Sequence, residues 1–188
     1  MNIIVKPYGS DLCCCRPDTT WERENKDFYS PECVNEIYWT PVVFARVCKA
    51  GKCVGVKFVD RYYDGVGCGM LLYCGTSATT SFEGSASVRS LSEVVDRSSI
   101  LPHPLFLPVV LEDEKTFIVN DTSVILSGAK ELLEEAICNA SQLTSLRIGD
   151  FVAVELATPA ELAKRENGEV TIKGTFCENE IFGFKIIF

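Results

Sequence analysis

Imidazole is nearly absent. The 188 residues carry one histidine, His103, so a metal-ligand or general-base constellation must be built around it or do without imidazole. Positive charge is also in deficit: 18 Lys and Arg stand against 26 Asp and Glu, and the formal net charge of -8 disfavours nucleic-acid phosphates and anionic lipid as partners. No uncharged apolar run approaches the roughly 18 residues that a membrane helix needs. No secretory leader is legible either, because Met1-Asn2-Ile3-Ile4-Val5-Lys6 meets Pro7 and then Gly9-Ser10-Asp11 before an apolar core region develops. The expectation is a cytoplasmic protein with reduced thiols. Ten cysteines are present, but the paired Cys-x2-Cys knuckles of a zinc site are not. Cys13-Cys14-Cys15 would alternate between the faces of a strand, so the reading is of buried thiols used as small apolar fillers.

What is present is core-forming material. Hydrophobic residues make up 47% of the chain, enough for a substantial core in one domain over residues 1–188 or in two very small ones. Ile3-Ile4-Val5 and Leu12-Cys13-Cys14-Cys15 read as short strands, and residues 19–36 as loop with a short strand. Apolar runs place strands at 37–48, 53–57, 66–74, 151–154, 170–177 and 181–187. Lys49-Ala50-Gly51-Lys52, between Val42–Cys48 and Cys53–Val56, has the composition of a hairpin turn. Glu112–Lys115, between Val109–Leu111 and Thr116–Val119, marks a second hairpin, with Ser123–Leu126 as a possible continuation. Phe58–Asp64 fits one or two helical turns. From Ala129 to about Leu143, Leu132, Leu133, Ala136, Ile137 and Ala140 recur at three- and four-residue spacing, which predicts the main helix at 129–142. The class is α+β, strand-dominated.

Four segments, in order, carry a family resemblance. Arg16-Pro17-Asp18-Thr19 is similar to a Lys-Pro-Asp-Thr motif. Phe28-Tyr29-Ser30-Pro31, then Asn35-Glu36-Ile37-Tyr38-Trp39-Thr40-Pro41-Val42-Val43-Phe44-Ala45-Arg46-Val47, Gly51-Lys52 and Lys57–Asp64, resemble the start of the catalytic domain of the fumarylacetoacetate hydrolase family. Phe82-Glu83-Gly84-Ser85-Ala86 is similar to that family's Phe-Asp-Gly-Ser-Ala loop. Phe117-Ile118-Val119-Asn120 through Gly128, with Leu146-Arg147-Ile148-Gly149-Asp150-Phe151 and the closing strand, completes the match over most of residues 16–188. The resemblance implies a single fumarylacetoacetase C-terminal-like domain with a shortened amino-terminal segment. Its fold would be a mixed, strongly curved β-roll with one main outer helix. It also implies a homodimer and cleavage or decarboxylation of small diketo or oxo acids at Mg²⁺ or Mn²⁺ held by three carboxylates.

The residues depart from that pattern at the chemistry. Thr40 and Val42 fall where the family has a Glu-x-Glu pair, and Leu71 where it has the third carboxylate. Thr80 stands in place of a lysine, Glu83 replaces the aspartate of the Phe82 loop, and Tyr73–Ser77 replaces an arginine-rich segment. The amino-terminal loop at Tyr8-Gly9-Ser10-Asp11 has no histidine. Pro41 between two vacated positions removes a backbone donor, as expected only at an edge or a bulge. On this reading no catalytic residue is assigned and no metal or other cofactor is expected. His103, between two prolines, reads as a solvated loop residue, and Phe44, Met70, Leu72 and Phe82 as core. Asp60-Arg61, Glu131, Glu134 and Glu135 read as solvated charge.

Two functions remain open. One is a catalytically degenerate member that keeps fold and dimer contacts and binds a small ligand, as a homodimer or in mixed dimers with a catalytic paralogue. The other is an active hydrolase or decarboxylase of a small oxo or diketo acid, with its metal relocated between Glu36 and Glu83. Glu36 lies four residues before Thr40 and so faces the same side of a strand.

Overall fold

The structure is a computed structural model that describes residues 1–76 and 93–188. Its centre is a pair of 14-residue antiparallel strands, β5 (Val34–Val47) and β6 (Tyr63–Thr76). On its other edge β5 is covered twice. β10 (Phe151–Glu155) pairs with Val42–Arg46, and β11 (Ala160–Lys164) with Glu36–Trp39. β1 (Asn2–Lys6) runs parallel to β10, and β2 (Cys14–Pro17) is antiparallel to β1. Two-residue strands β3 (Trp21–Glu22) and β7 (Ser99–Ile100) finish the sheet beyond β6, giving the order β2-β1-β10-β5-β6-β7-β3. The result is a nearly closed, barrel-like, strand-dominated architecture.

A second sheet has the order β4-β13-β12-β8-β9, made of β4 (Phe28–Tyr29), β8 (Thr116–Val119), β9 (Thr122–Ile125), β12 (Glu169–Phe176) and β13 (Asn179–Ile187). Helix α1 (Ala129–Leu143) packs on the first sheet through Leu133, Ala136, Ile137 and Ala140, all fully buried, as its periodicity predicts. No helix among the described residues is long and apolar enough to cross a membrane.

Both faces of β5 are covered, which is why Val42–Val47 reads as a nearly continuous apolar run. Val43, Ala45, Met70 and Leu72 join the large core shared with α1 and the second sheet. Val42, Phe44, Leu71 and Tyr73 point the other way, into a smaller cluster with Ile3, Val5, Leu101, Phe151 and Ala153. Gly67 belongs to this arrangement: a Cβ there would lie 2.5 Å from the Phe44 ring, so glycine makes room for the aromatic.

Several expectations are corrected. Residues 53–57 are not a strand and do not pair with 42–48. Gly51 exchanges backbone hydrogen bonds with Leu146, Cys53 N–H donates to the Ser141 carbonyl (2.9 Å), and Val56–Arg61 is a 3₁₀ helix. The loop thus docks on the end of α1, and the partner of β5 is β6. The second hairpin also moves. Pro108–Leu111 is a 3₁₀ helix, and β8 turns at Asn120-Asp121 directly into β9, with Asn120 at φ 47°. Strand β11 was not anticipated. Pro41 lies neither at an edge nor at a bulge, and its surroundings explain how a central strand accepts it. Its carbonyl accepts from Leu156 N–H (2.9 Å), so its missing donor faces the gap where β5 passes from β10 to β11. Thr40 Oγ1 donates to the Ala157 carbonyl there (2.6 Å), supplying a hydrogen bond where proline has none to give.

Candidate functional site

The β5–β6 register brings together the three positions that the family resemblance reads as vacated. Thr40 is directly opposite Leu71, and Val42 is two residues on, so all three share the face of the smaller cluster and are fully buried. Glu36 is on the same face, about 13 Å along the strand from Thr40 at 3.3 Å per residue. Its carboxylate accepts from the Tyr38 hydroxyl (2.7 Å), and this bond, followed by burial and the charges of Glu36 and Glu161, pushes the phenol up to about 12. Thr80, Phe82 and Glu83 lie outside the described residues. Asp64, near the start of β6, forms an exposed two-pronged pair with Arg46 of β5 at 3.0 and 2.9 Å.

The polar centre of this face is a group to which the sequence reading gave no role in the site, although Arg16 heads one of the four resembling segments. Arg16, opposite Ile3 on β2, is fully buried. Its Nη1 donates to the carbonyls of Leu72 (3.2 Å) and Ser98 (3.3 Å), and to the hydroxyls of Ser98 (3.3 Å) and Ser99 (3.4 Å). The guanidinium carbon lies 4.5 Å from the centroid of the Tyr73 ring, a cation–π contact removed from water. At the far end of that ring, the Tyr73 hydroxyl donates a hydrogen bond to Glu155 Oε1. Glu155 Oε2 accepts from Tyr8 N–H at 2.9 Å. Glu155 ends β10 opposite Val42 and is 3% exposed. Arg16, Tyr73 and Glu155 thus form a buried series of cation, ring and carboxylate. The loop expected to lack its histidine runs beside it: Tyr8, Ser10 and Asp11, with Lys6, Leu132 and Glu155, line a cleft of about 340 Å³. One signal for Glu155 was available, since it has the parity of Phe151 and Ala153 on a buried strand.

A divalent cation does not fit this donor set. Mg²⁺ and Mn²⁺ are hard ions that take oxygen ligands, carboxylates foremost. Thr40, Val42 and Leu71 offer one hydroxyl, already committed to Ala157, and two hydrocarbon side chains. The neighbouring carboxylate, Glu155, has an oxygen on Tyr73 and the other on Tyr8. Among the described residues no group of three or more His, Cys, Asp or Glu is arranged to hold a metal.

His103 is exposed, as expected, and packs against Trp21 with centroids 5.7 Å apart. Partial burial, then the charges of Arg23 and Arg46, hold its pKa below the ordinary imidazole value. All ten cysteines are free thiols, but only Cys68, Cys74 and Cys138 are buried fillers, while Cys15, Cys33 and Cys53 are exposed. The expectation of buried thiols holds for that minority, because the others fall on loops and strand edges. Phe44, Met70 and Leu72 are core as expected, whereas Phe82 lies outside the described residues. Glu134 is not simply solvated: it accepts from the Tyr63 hydroxyl at 2.7 Å.

No family model matches the sequence, and no curated protein matches it. Solved structures do. A Yersinia pestis protein described as of the fumarylacetoacetate hydrolase family superposes with TM-score 0.70 at 12% identity, over 99% of this chain and 92% of that one. Fumarylpyruvate hydrolase from Pseudomonas aeruginosa, solved with Mn²⁺ and pyruvate, gives TM-score 0.73 at 12% identity, over 100% and 89%. A 5-carboxymethyl-2-hydroxymuconate delta-isomerase from Mycobacterium smegmatis gives 0.77 at 12% identity, over 99% and 78%. With identities this low the likeness is one of architecture, and on it the protein has the fumarylacetoacetate hydrolase fold.

Proposed function

We propose that this chain is a catalytically degenerate protein of the fumarylacetoacetate hydrolase fold, which keeps the pocket as a small-ligand site without a divalent metal. The observation that carries the reading is the burial of Thr40, Val42 and Leu71 side by side on one apolar face. An uncompensated ion among such side chains would carry a desolvation cost far above what one hydroxyl repays. Around them the Glu155 carboxylate is engaged by the Tyr73 hydroxyl and Tyr8 N–H, and Arg16 Nη1 by carbonyls and hydroxyls. The alternative, an active enzyme with its metal relocated to Glu36, is not favoured by geometry, because Glu36 is engaged by Tyr38 and lies a long step along the strand from Thr40.

The test is elemental analysis of protein purified without chelator, followed by acylpyruvate hydrolysis and oxaloacetate decarboxylation assays with and without added Mn²⁺. The expected result is metal well below one equivalent and no turnover. Near-stoichiometric metal, with turnover abolished by EDTA, would overturn the proposal.

A further inference from the structure

A guanidinium presents five N–H donors in a fixed fork. In Arg16 one end of that fork is fully used, since Nη1 reaches four acceptors on Leu72, Ser98 and Ser99. The other edge is not: Nε and Nη2 are both buried and have no hydrogen-bond partner. Leaving charged donors dry and unpaired is among the costlier arrangements a protein interior can hold. The identity of the free edge is informative. In Arg46 of the same chain, the same two atoms, Nε and Nη2, grip the two oxygens of Asp64 at 3.0 and 2.9 Å. That is side-on bidentate recognition of a carboxylate.

Arg16 is held ready for the same grip. Its backbone is fixed on β2 opposite Ile3, its Nη1 is anchored, and its plane lies against Tyr73. A ligand would therefore meet a donor pair that has little freedom left to lose. The charge around it selects further. Glu155 stands one tyrosine ring away, so a second negative charge on the ligand would be repelled.

We propose that Arg16 anchors a buried site for a small monocarboxylate, a guanidinium serving as the anion-binding group where no divalent cation is held. This deepens the reading of the pocket as a ligand site and rests on it.

The experiment uses the full chain, with acetate and pyruvate as probes and sulfate and chloride at matched ionic strength as controls. The Arg16 Nε–H resonance is followed by ¹H–¹⁵N NMR, and affinity by calorimetry for wild type, Arg16→Lys and Arg16→Gln. The expected result is a saturable shift of the Arg16 Nε–H with the carboxylates only. Lysine keeps the charge but loses the fork, so its affinity should fall about tenfold or more. An Arg16 resonance that does not move, or moves equally with chloride and sulfate, overturns the inference. So does a folded lysine variant that binds as wild type does. If the variants do not fold, the wild-type titration decides alone. Metal-free protein with an unmoved Arg16 sinks this inference only. Pyruvate binding that requires Mn²⁺ and is lost in EDTA sinks the metal-free reading itself.

Discussion

Val42→Asp would place a carboxylate at one of the positions proposed to have lost one, next to the Glu155 carboxylate with which residue 42 is paired in register. Val42 is fully buried between Phe44, Leu71 and Ala153. Losing its burial costs ~1.5–3 kcal/mol, and an amide or carboxyl left without a partner a further ~1–3 kcal/mol. Val42→Asn, near-isosteric with the aspartate variant, measures that sum, about 2.5–6 kcal/mol against the roughly 5–15 kcal/mol of a typical domain. Aspartate adds a pH-dependent part. Burial and the neighbouring Glu155 disfavour its charged form, so its folded pKa lies above the unfolded value of about 3.9. The folded state then binds the proton more tightly, and the stability of the variant falls as pH climbs from about 4 through the raised value. Each unit of elevation adds about 1.4 kcal/mol, so an elevation of about two units makes Val42→Asp weaker than Val42→Asn by ~2.7 kcal/mol near neutral pH. Urea denaturation at several pH values, with and without MnCl₂, measures this directly. Equal stability of the two variants at neutral pH, stability that rises with pH, or rescue by Mn²⁺ would each refute the account of position 42 as closed to a carboxylate side chain and to a divalent cation.

Three further outcomes are expected. Thr40→Val leaves the Ala157 carbonyl without its donor and should cost ~1–3 kcal/mol in urea denaturation, but less in a Pro41→Ala background, where a backbone N–H returns to the same gap; an additive double-mutant cycle would refute the exchange of one donor for the other. Alkylation followed by mass spectrometry should modify Cys33 and Cys53 readily at mildly alkaline pH, and Cys68 and Cys74 only on unfolding. Burial pushes Cys68 up, and Cys74 up to about 12 against the pull of Arg16, so these buried thiols favour the fold below about pH 9 and lose that contribution as pH rises through their raised values. The Tyr63 phenol, raised by burial first and then by its bond to Glu134, should ionise later than a free tyrosine at about pH 10 in an ultraviolet titration. Tyr63→Phe should remove that late step, and its stabilising effect should likewise be present below about pH 10 and fade above it.

Where the signal was local, the sequence could be read. Leu133, Ala136, Ile137 and Ala140 mark α1 because a helix buries every third or fourth residue whatever lies opposite. β5, β6, β10, β12 and β13 were visible as apolar runs. Partners were harder to see, since they depend on contacts distant in the chain. Gly51 has hairpin-turn composition, yet its hydrogen bonds go to Leu146, 95 positions away. Ala160-Glu161-Leu162-Ala163-Lys164 has helix-forming composition, and its strand geometry comes from pairing with Glu36–Trp39. At the site, alternation along β5 sufficed to put Thr40 and Val42 on one face, and Leu71 came through the family resemblance. Arg16 stood in a quoted motif but was given no role, because nothing local tells a buried guanidinium from an exposed one. Only the fold shows that it is enclosed by Tyr73, Ser98 and Ser99.

The double cover of β5 also sets the order in which the molecule can come apart. A strand held along one edge by β6 and along the other by β10 and then β11 has no side from which solvent can peel it. Its amides are freed only when several strands part at once, at a free energy near that of global unfolding, while the two-residue strands β3, β4 and β7 open for far less. Thr40 and Val42 therefore ride on the slowest-opening segment. Breathing of the periphery leaves them in place, and the shape of this face persists for as long as the molecule is folded at all.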